Sequence, residues 1–298
     1  MKAICIGHST FDTTLPMEEY PKENIKYRLK RHIECGGGPA SNGAYLLAKW
    51  GIDTTIASVV GKDYYGERIL EDFTNIGANT KYLELKEEVS TTSSYIIANL
   101  SNGSRTVMTA KKDSINKLDQ NIDELYDLIL LDGEHPETAK EVLLKNPQAI
   151  SVLDAGRLTD ERRELGKLVT YLVCSHDFAE DFTHKKTDVR DFNTLIEIYE
   201  SLKEYFKTNV IITLEANGSF TMIDGKYKLI PSVKVTALDS TGAGDIFHGA
   251  FTYFVGMKYP LEEAIRRASI AGAISVTRIG SRKSIPDLNE VLEYDTVI

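Results

Sequence analysis

Residues 239–251 read Asp-Ser-Thr-Gly-Ala-Gly-Asp-Ile-Phe-His-Gly-Ala-Phe. Gly242 and Gly244 let the backbone turn tightly and bring the N–H groups of Gly242, Ala243 and Gly244 close to a ligand. The run from Asp245 to about Met257 is apolar enough to predict a largely buried helix. The stretch therefore reads as a helix N-terminus, whose bare amides and positive dipole end suit an anion, phosphate above all. An acid at that spot, Asp245, is either a cap or a general base beside a transferring phosphoryl group. A glycine turn capping a core helix is the plain structural alternative.

The spacing excludes familiar nucleotide motifs. The glycine after Gly244 is Gly249, so this is not G-x-G-x-x-G, and G-x-x-x-x-G-K-[ST] occurs nowhere in the chain. Val189–Asn193 has the letters of a protein-kinase catalytic loop, but its Asn follows its Asp too closely and the segment is polar.

The elements that must position these residues alternate. Lys2–Gly7 predicts a short strand running into a polar loop, Gly7-His8-Ser9-Thr10-Phe11-Asp12. Leu128–Asp132, Ala149–Asp154, Tyr171–Ser175 and Val210–Leu214 read as buried strands, with helices over Pro136–Lys145, Asp160–Leu168 and Phe192–Phe206 between them. This βαβ punctuation predicts an α/β fold, a mostly parallel sheet covered on both faces. Strand ends carry Gly133-Glu134-His135, Asp154, Ser175 and Glu215, polar groups on the edge where such sheets hold ligands. Ile25–Ile33 alternates apolar and basic residues and predicts a half-exposed antiparallel strand. Thr91–Thr109, broken at Asn102-Gly103, predicts a hairpin, and Ser219–Pro231 another around Asp224-Gly225. Helices are also expected over Ala40–Trp50, Tyr65–Ile76 and Leu261–Thr277, and a short one after Pro286.

Composition bounds the partners. The chain has 298 residues, 42% hydrophobic and 27% charged, with a net charge of −9. That acidity argues against nucleic acid or an anionic membrane surface as partner. No apolar run reaches membrane-spanning length and the N-terminus enters a strand directly, without a cleavage region. Three scattered cysteines read as reduced thiols, so a cytoplasmic protein is expected.

Asp239–Asp245 resembles D-T-x-G-A-G-D, the C-terminal signature of the ribokinase-like (PfkB) carbohydrate kinases. Gly36-Gly37-Gly38-Pro39-Ala40-Ser41-Asn42-Gly43-Ala44 resembles their N-terminal signature, in the expected order, and the likeness extends over essentially the whole chain. It implies one α/β kinase domain over 1–298 with a small β-sheet lid from about 12–34 and 82–110, which pairs two copies into a homodimer. It implies that Asp245 is the base and that Gly242, Ala243 and Gly244 form the anion hole. Asp12, Gly37, Gly38 and Asn42 then hold the sugar, with Arg105 on the lid and Glu134 at a strand end. Ser175, Thr213, Glu215, Gly218 and Ser269 flank ATP, and Asp239, Thr241 and Ser284 surround a monovalent cation. The cofactors implied are ATP and Mg²⁺, with a place for K⁺. Gly61-Lys62-Asp63 matches a short family segment and reads as structural.

Two departures stand out. Glu215 replaces the first glycine of the family's T-x-G-x-x-G nucleotide segment. In Cys174-Ser175-His176-Asp177-Phe178, Ser175 and Phe178 stand where many members have the Asn and Glu of N-x-x-E, which organises Mg²⁺; Asp177 is one residue away. The expected activity is phosphorylation of a primary hydroxyl of a hexose, ketose or sugar acid. The alternatives are a nucleoside kinase of the same fold and a catalytically weak sugar-binding sensor.

Overall fold

The computed structural model describes residues 1–110 and 115–295. The chain starts with β1 (Lys2–Ile6), β2 (Thr10–Met17) and β3 (Ile33–Gly37), then α1 (Pro39–Lys49), β4 (Asp53–Gly61), α2 (Tyr64–Asn75) and β5 (Asn79–Lys86). A hairpin of β6 (Thr92–Asn99) and β7 (Ser104–Ala110) leads to β8 (Leu128–Leu131), α3 (Pro136–Lys145), β9 (Ile150–Ala155), α4 (Asp160–Leu165) and β10 (Tyr171–Ser175). Next come α5 (His176–Thr183), α6 (Phe192–Phe206), β11 (Asn209–Thr213), β12 (Ser219–Ile223) and β13 (Lys226–Ile230). Three helices close the chain: α7 (Ala243–Gly256), α8 (Leu261–Val276) and α9 (Leu288–Asp295).

Two sheets result. The larger runs β13-β12-β11-β10-β9-β8-β1-β4-β5, parallel except where β12 and β13 join antiparallel. Its central strands are apolar throughout, as Leu128–Leu131 shows, because helices cover both faces. One face packs on α1, α2, α7 and α8 through residues such as Leu46, Phe73, Phe251 and Ala268. The other packs on α3, α5 and α6 through Val142, Phe178 and Leu202. Strand order reverses between β1, which continues into β4, and β8, which continues into β9. Ligands bind at the carboxyl ends of the strands beside such a switch point.

The smaller sheet runs β3-β2-β6-β7, with β2 antiparallel to β3 and parallel to β6. Both hairpins expected from Asn102-Gly103 and Asp224-Gly225 form, with positive φ at Gly103 and Gly225. Asp63 caps α2, accepting from Gly66 N at 2.9 Å and Thr91 N at 2.8 Å, so that segment is structural.

Three expectations need correction. Ile25–Ile33 is not a strand: residues 18–32 are irregular, and Ile25, Tyr27 and Leu29 are exposed. Alternation yields a strand only where one face has a surface to cover, and here β2 takes the place beside β3. Residues 82–86 lie in β5 of the large sheet, outside the small one. Asp12 belongs to β2 and is buried, so it is not a loop residue. Residues 176–183, which the sequence left unassigned, form α5, started by Ser175 as its cap.

Candidate active site

Asp245 sits in the first turn of α7, whose N-cap is Gly242 at φ +76°. That left-handed turn is open to glycine at little cost. The first amides of a helix lack an acceptor within it, and a Cβ placed on Gly244 meets no atom within 4 Å, so the space beside Gly244 is open, while Gly242 packs against Ser281. α7 has no side-chain cap, so Asp245 is not one. Its Oδ2 instead accepts from Asn42 Nδ2 at 2.8 Å, 203 residues away. Asn42 does not cap α1 either, since that helix starts at Gly38 without a side-chain cap. The two side chains meet because α1 and α7 cross closely at Gly43 and Gly249, where an added Cβ on Gly249 would lie 3.0 Å from the Gly43 Cα. Burial and the nearby Asp154 charge push the Asp245 carboxyl up to about 7, while the Asn42 amide and His248 draw it down. A base with that affinity takes a proton readily near neutral pH.

The glycine run packs against carboxylates and backbone. A Cβ on Gly37 would overlap the Asp12 carboxylate, and one on Gly38, at φ +95°, would overlap the His8 carbonyl. Asp12 Oδ1 accepts from Thr10 Oγ1 at 2.8 Å and Oδ2 from Ser281 Oγ at 2.7 Å, leaving lone pairs for further donors. Beneath Gly36 lies the buried Arg282, bonded to Ser41 Oγ and to Asp72 Oδ2 at 3.3 Å and stacked between Tyr45 and Phe73. Asp132, at the end of β8, accepts from His8 N at 2.8 Å, Ala40 N at 3.1 Å and Glu134 N at 3.0 Å. It thereby ties β1, α1 and β8 together at the switch point. Glu134 lines a small cavity with His8, Thr92, Ile115 and His135 beside this cluster. Ser281, Arg282 and Asp132 escaped sequence reasoning. A serine and an arginine in a short loop carry no local sign of burial.

Two glycine-rich turns at the carboxyl edge of a doubly covered sheet, with a buried carboxylate between them, match a known pattern over nearly the whole chain. The profile described as pfkB family carbohydrate kinase covers residues 1–288. The chain belongs to the pfkB family of carbohydrate kinases. It is 28% identical to the ribokinase of Haemophilus influenzae over 267 residues, 87% of this chain and 86% of the relative. It is 27% identical to the ribokinase of Bacillus subtilis over 303 residues, 98% and 99% of the two chains. The crystal structure of ribokinase from Thermotoga maritima superimposes with a TM-score of 0.78 at 25% identity, covering 99% of each chain. The protein is thus a phosphotransferase acting on a sugar alcohol group.

Several other expected residues lie at strand ends or in the turns that follow them. Thr213 ends β11 and donates to Cys174 O at 3.3 Å. Glu215 adopts φ +53° and Gly218 φ +97°. Glu215 therefore carries a side chain in the left-handed region that favours glycine. Ser175 donates to Gly156 O and accepts from Phe178 N at 3.1 Å. Phe178 is fully buried against Phe206, so its position offers nothing to a metal. Asp177 is half exposed and faces His176 Nε2 at 3.2 Å. Ser269 is buried in α8.

Asp239 is buried: Oδ1 accepts from Thr241 N at 2.9 Å and Thr241 Oγ1 at 2.6 Å, and Oδ2 from Gly280 N at 2.9 Å. The structure unites Asp239 and Thr241 but turns Ser284 Oγ to the Ser281 carbonyl at 2.7 Å. Arg105 reaches from β7 to Ser240 Oγ at 2.9 Å, and Ser240 N donates to Gly103 O at 3.1 Å. The hairpin tip of the small sheet is therefore fastened to the loop ahead of α7. Among the described residues no helix is long and apolar enough to cross a membrane. No group of three or more His, Cys, Asp or Glu stands ready for a metal among them.

Proposed function

We propose that the protein transfers the γ-phosphoryl group of ATP to a primary hydroxyl of a small free sugar. The observation that carries this reading is Asp245: a buried carboxylate, pushed up to about 7 by burial and the nearby Asp154 charge, in the first turn of α7 beside the open space at Gly244. Ionised, it accepts the proton of the attacking hydroxyl while the amides of Gly242, Ala243 and Gly244 receive the phosphoryl oxygens. Asn42 holds the carboxylate, and Asp12, Gly37 and Gly38 receive the sugar's other hydroxyls. Thr213, Glu215, Gly218, Ser175 and Ser269 flank the nucleotide.

Mg²⁺ binds oxygen and keeps several waters, so it fits as a companion of the ATP phosphates, with Asp177 the nearest carboxylate to the departed motif. K⁺ fits beside Asp239 and Thr241, whose carboxylate and hydroxyl already order the loop ahead of the anion hole. The relatives' ribose puts pentoses beside the hexoses, ketoses and sugar acids expected from sequence. The small sheet is read as the cover of the sugar and as the pairing face of a homodimer; Tyr95, Val107 and Met108 are exposed on it.

The test is ADP release over pentoses, hexoses, ketoses, sugar acids and nucleosides, with Mg²⁺ and with or without K⁺. Turnover on a free sugar that collapses in Asp245→Asn supports the reading. Turnover on nucleosides alone, or sugar binding without turnover, overturns it.

A further inference from the structure

His248 and Asp154 form a buried pair to which nothing above gives a task. His248 follows Asp245 by three residues on α7, so the two are neighbours on one turn. Its Nδ1 lies 2.6 Å from Gly244 O and 3.1 Å from Asp154 Oδ2 at the end of β9. Its Nε2 lies 3.1 Å from Val173 O on β10. A carbonyl only accepts, so the Gly244 contact places a proton on Nδ1 and the Val173 contact places one on Nε2. Both ring nitrogens thus face acceptors, and the Asp154 carboxyl stands beside Nδ1 as a counter-ion for an imidazolium. Taking two charges out of water is expensive, and an apolar side chain would fill the same space at less cost.

We propose that His248, kept cationic by Asp154, is a positioning residue for phosphoryl transfer. It holds the first turn of α7 through the Gly244 carbonyl and sets a fixed positive charge behind the base, favouring its ionised form. The proposal rests on the reading of Asp245 as that base.

The surrounding charges agree. Burial above all, then Asp154 and Asp12, push the Asp245 carboxyl up, and the Asn42 amide and His248 pull it down. Asp154 is itself raised by burial and by Asp132, and lowered by His248 and Arg162. The cation is what keeps two adjacent carboxylates compatible.

Two measurements on the full chain test this. Nitrogen-15 NMR of the assigned His248 ring in the wild type, near pH 7.5, needs no turnover. Both ring nitrogens are expected to be protonated, and one bare nitrogen overturns the proposal. The second is the pH profile of kcat/KM in wild type, His248→Gln, the double variant His248→Gln/Asp154→Asn, and Asp245→Asn. Loss of a nearby opposite charge should move the acid limb of His248→Gln up by about one pH unit or more. At neutral pH kcat should fall while the sugar KM changes little. Removing the Asp154 charge as well should bring the limb back toward its wild-type position. Activity lowered equally at every pH, with the limb unmoved, would make His248 a packing residue. An unmoved limb beside a dead Asp245→Asn overturns this proposal alone; full activity in Asp245→Asn overturns the base reading and this proposal with it.

Discussion

Asp245→Asn should make the protein more stable while removing its activity, and the gain should depend on pH. The carboxyl is buried and raised from an ordinary 3.8 to about 7. Between those values the folded chain holds a proton that the unfolded chain has released. Stability from this group is therefore full below about pH 4 and is lost as pH rises through about 7. A shift of about three units corresponds to about 4 kcal/mol, which relaxation around the charge reduces to about 2–4 kcal/mol. Asparagine carries no charge, and its carbonyl oxygen can still accept from Asn42 Nδ2. Urea unfolding at about pH 8.5 should then show the variant about 2–4 kcal/mol more stable than wild type, and at about pH 4 the two should be equal. Turnover should fall about 10²–10⁴-fold. No gain at the higher pH, or the same gain at both, would refute the claim that a buried charge is being held against its solvation.

Three further substitutions probe other parts of the site. Glu215→Gly removes a side chain from a left-handed residue, relieving up to about 1 kcal/mol of backbone strain, and takes away a negative charge that the proposed function puts beside the nucleotide. A lower KM for ATP with an unchanged or higher Tm is expected, and an unchanged KM would place ATP elsewhere. Gly37→Ala drives a methyl group into the Asp12 carboxylate. Overpacking of about 1–3 kcal/mol should raise the sugar KM roughly 5- to 150-fold and leave the ATP KM alone, so a change in ATP KM only would contradict it. Arg105→Ala cuts the bond to Ser240 that joins the small sheet to the loop ahead of α7. Kinetics across several sugars should show a similar loss for each, within about tenfold, as fits one exposed hydrogen bond. A KM rise confined to one sugar would put Arg105 on the substrate instead.

Features encoded within a few residues were legible in the sequence. Gly242 starts α7 because only a residue without a Cβ turns there cheaply, and Asn102-Gly103 makes its hairpin for the same reason. The β8–β11 strands announced themselves as short apolar runs, since parallel strands are covered on both faces. Ile25–Ile33 misled because alternation records a possible strand and cannot supply the partner strand or the covering surface. Glu215 shows another limit: the sequence marks the missing glycine, and only the structure shows that glutamate takes a left-handed backbone there.

The sequence by itself thus determined the sheet's character, the two glycine turns and the family. Only the tertiary structure decided what each side chain faces. Asn42 meets Asp245 across 203 residues, Asp12 meets Ser281 across 269, and Asp154 comes from another strand to face His248. Those meetings depend on where separate strands end and how closely α1 and α7 approach. The charge on Asp245 depends on them in turn, because burial and neighbouring charges set a carboxyl's affinity for its proton.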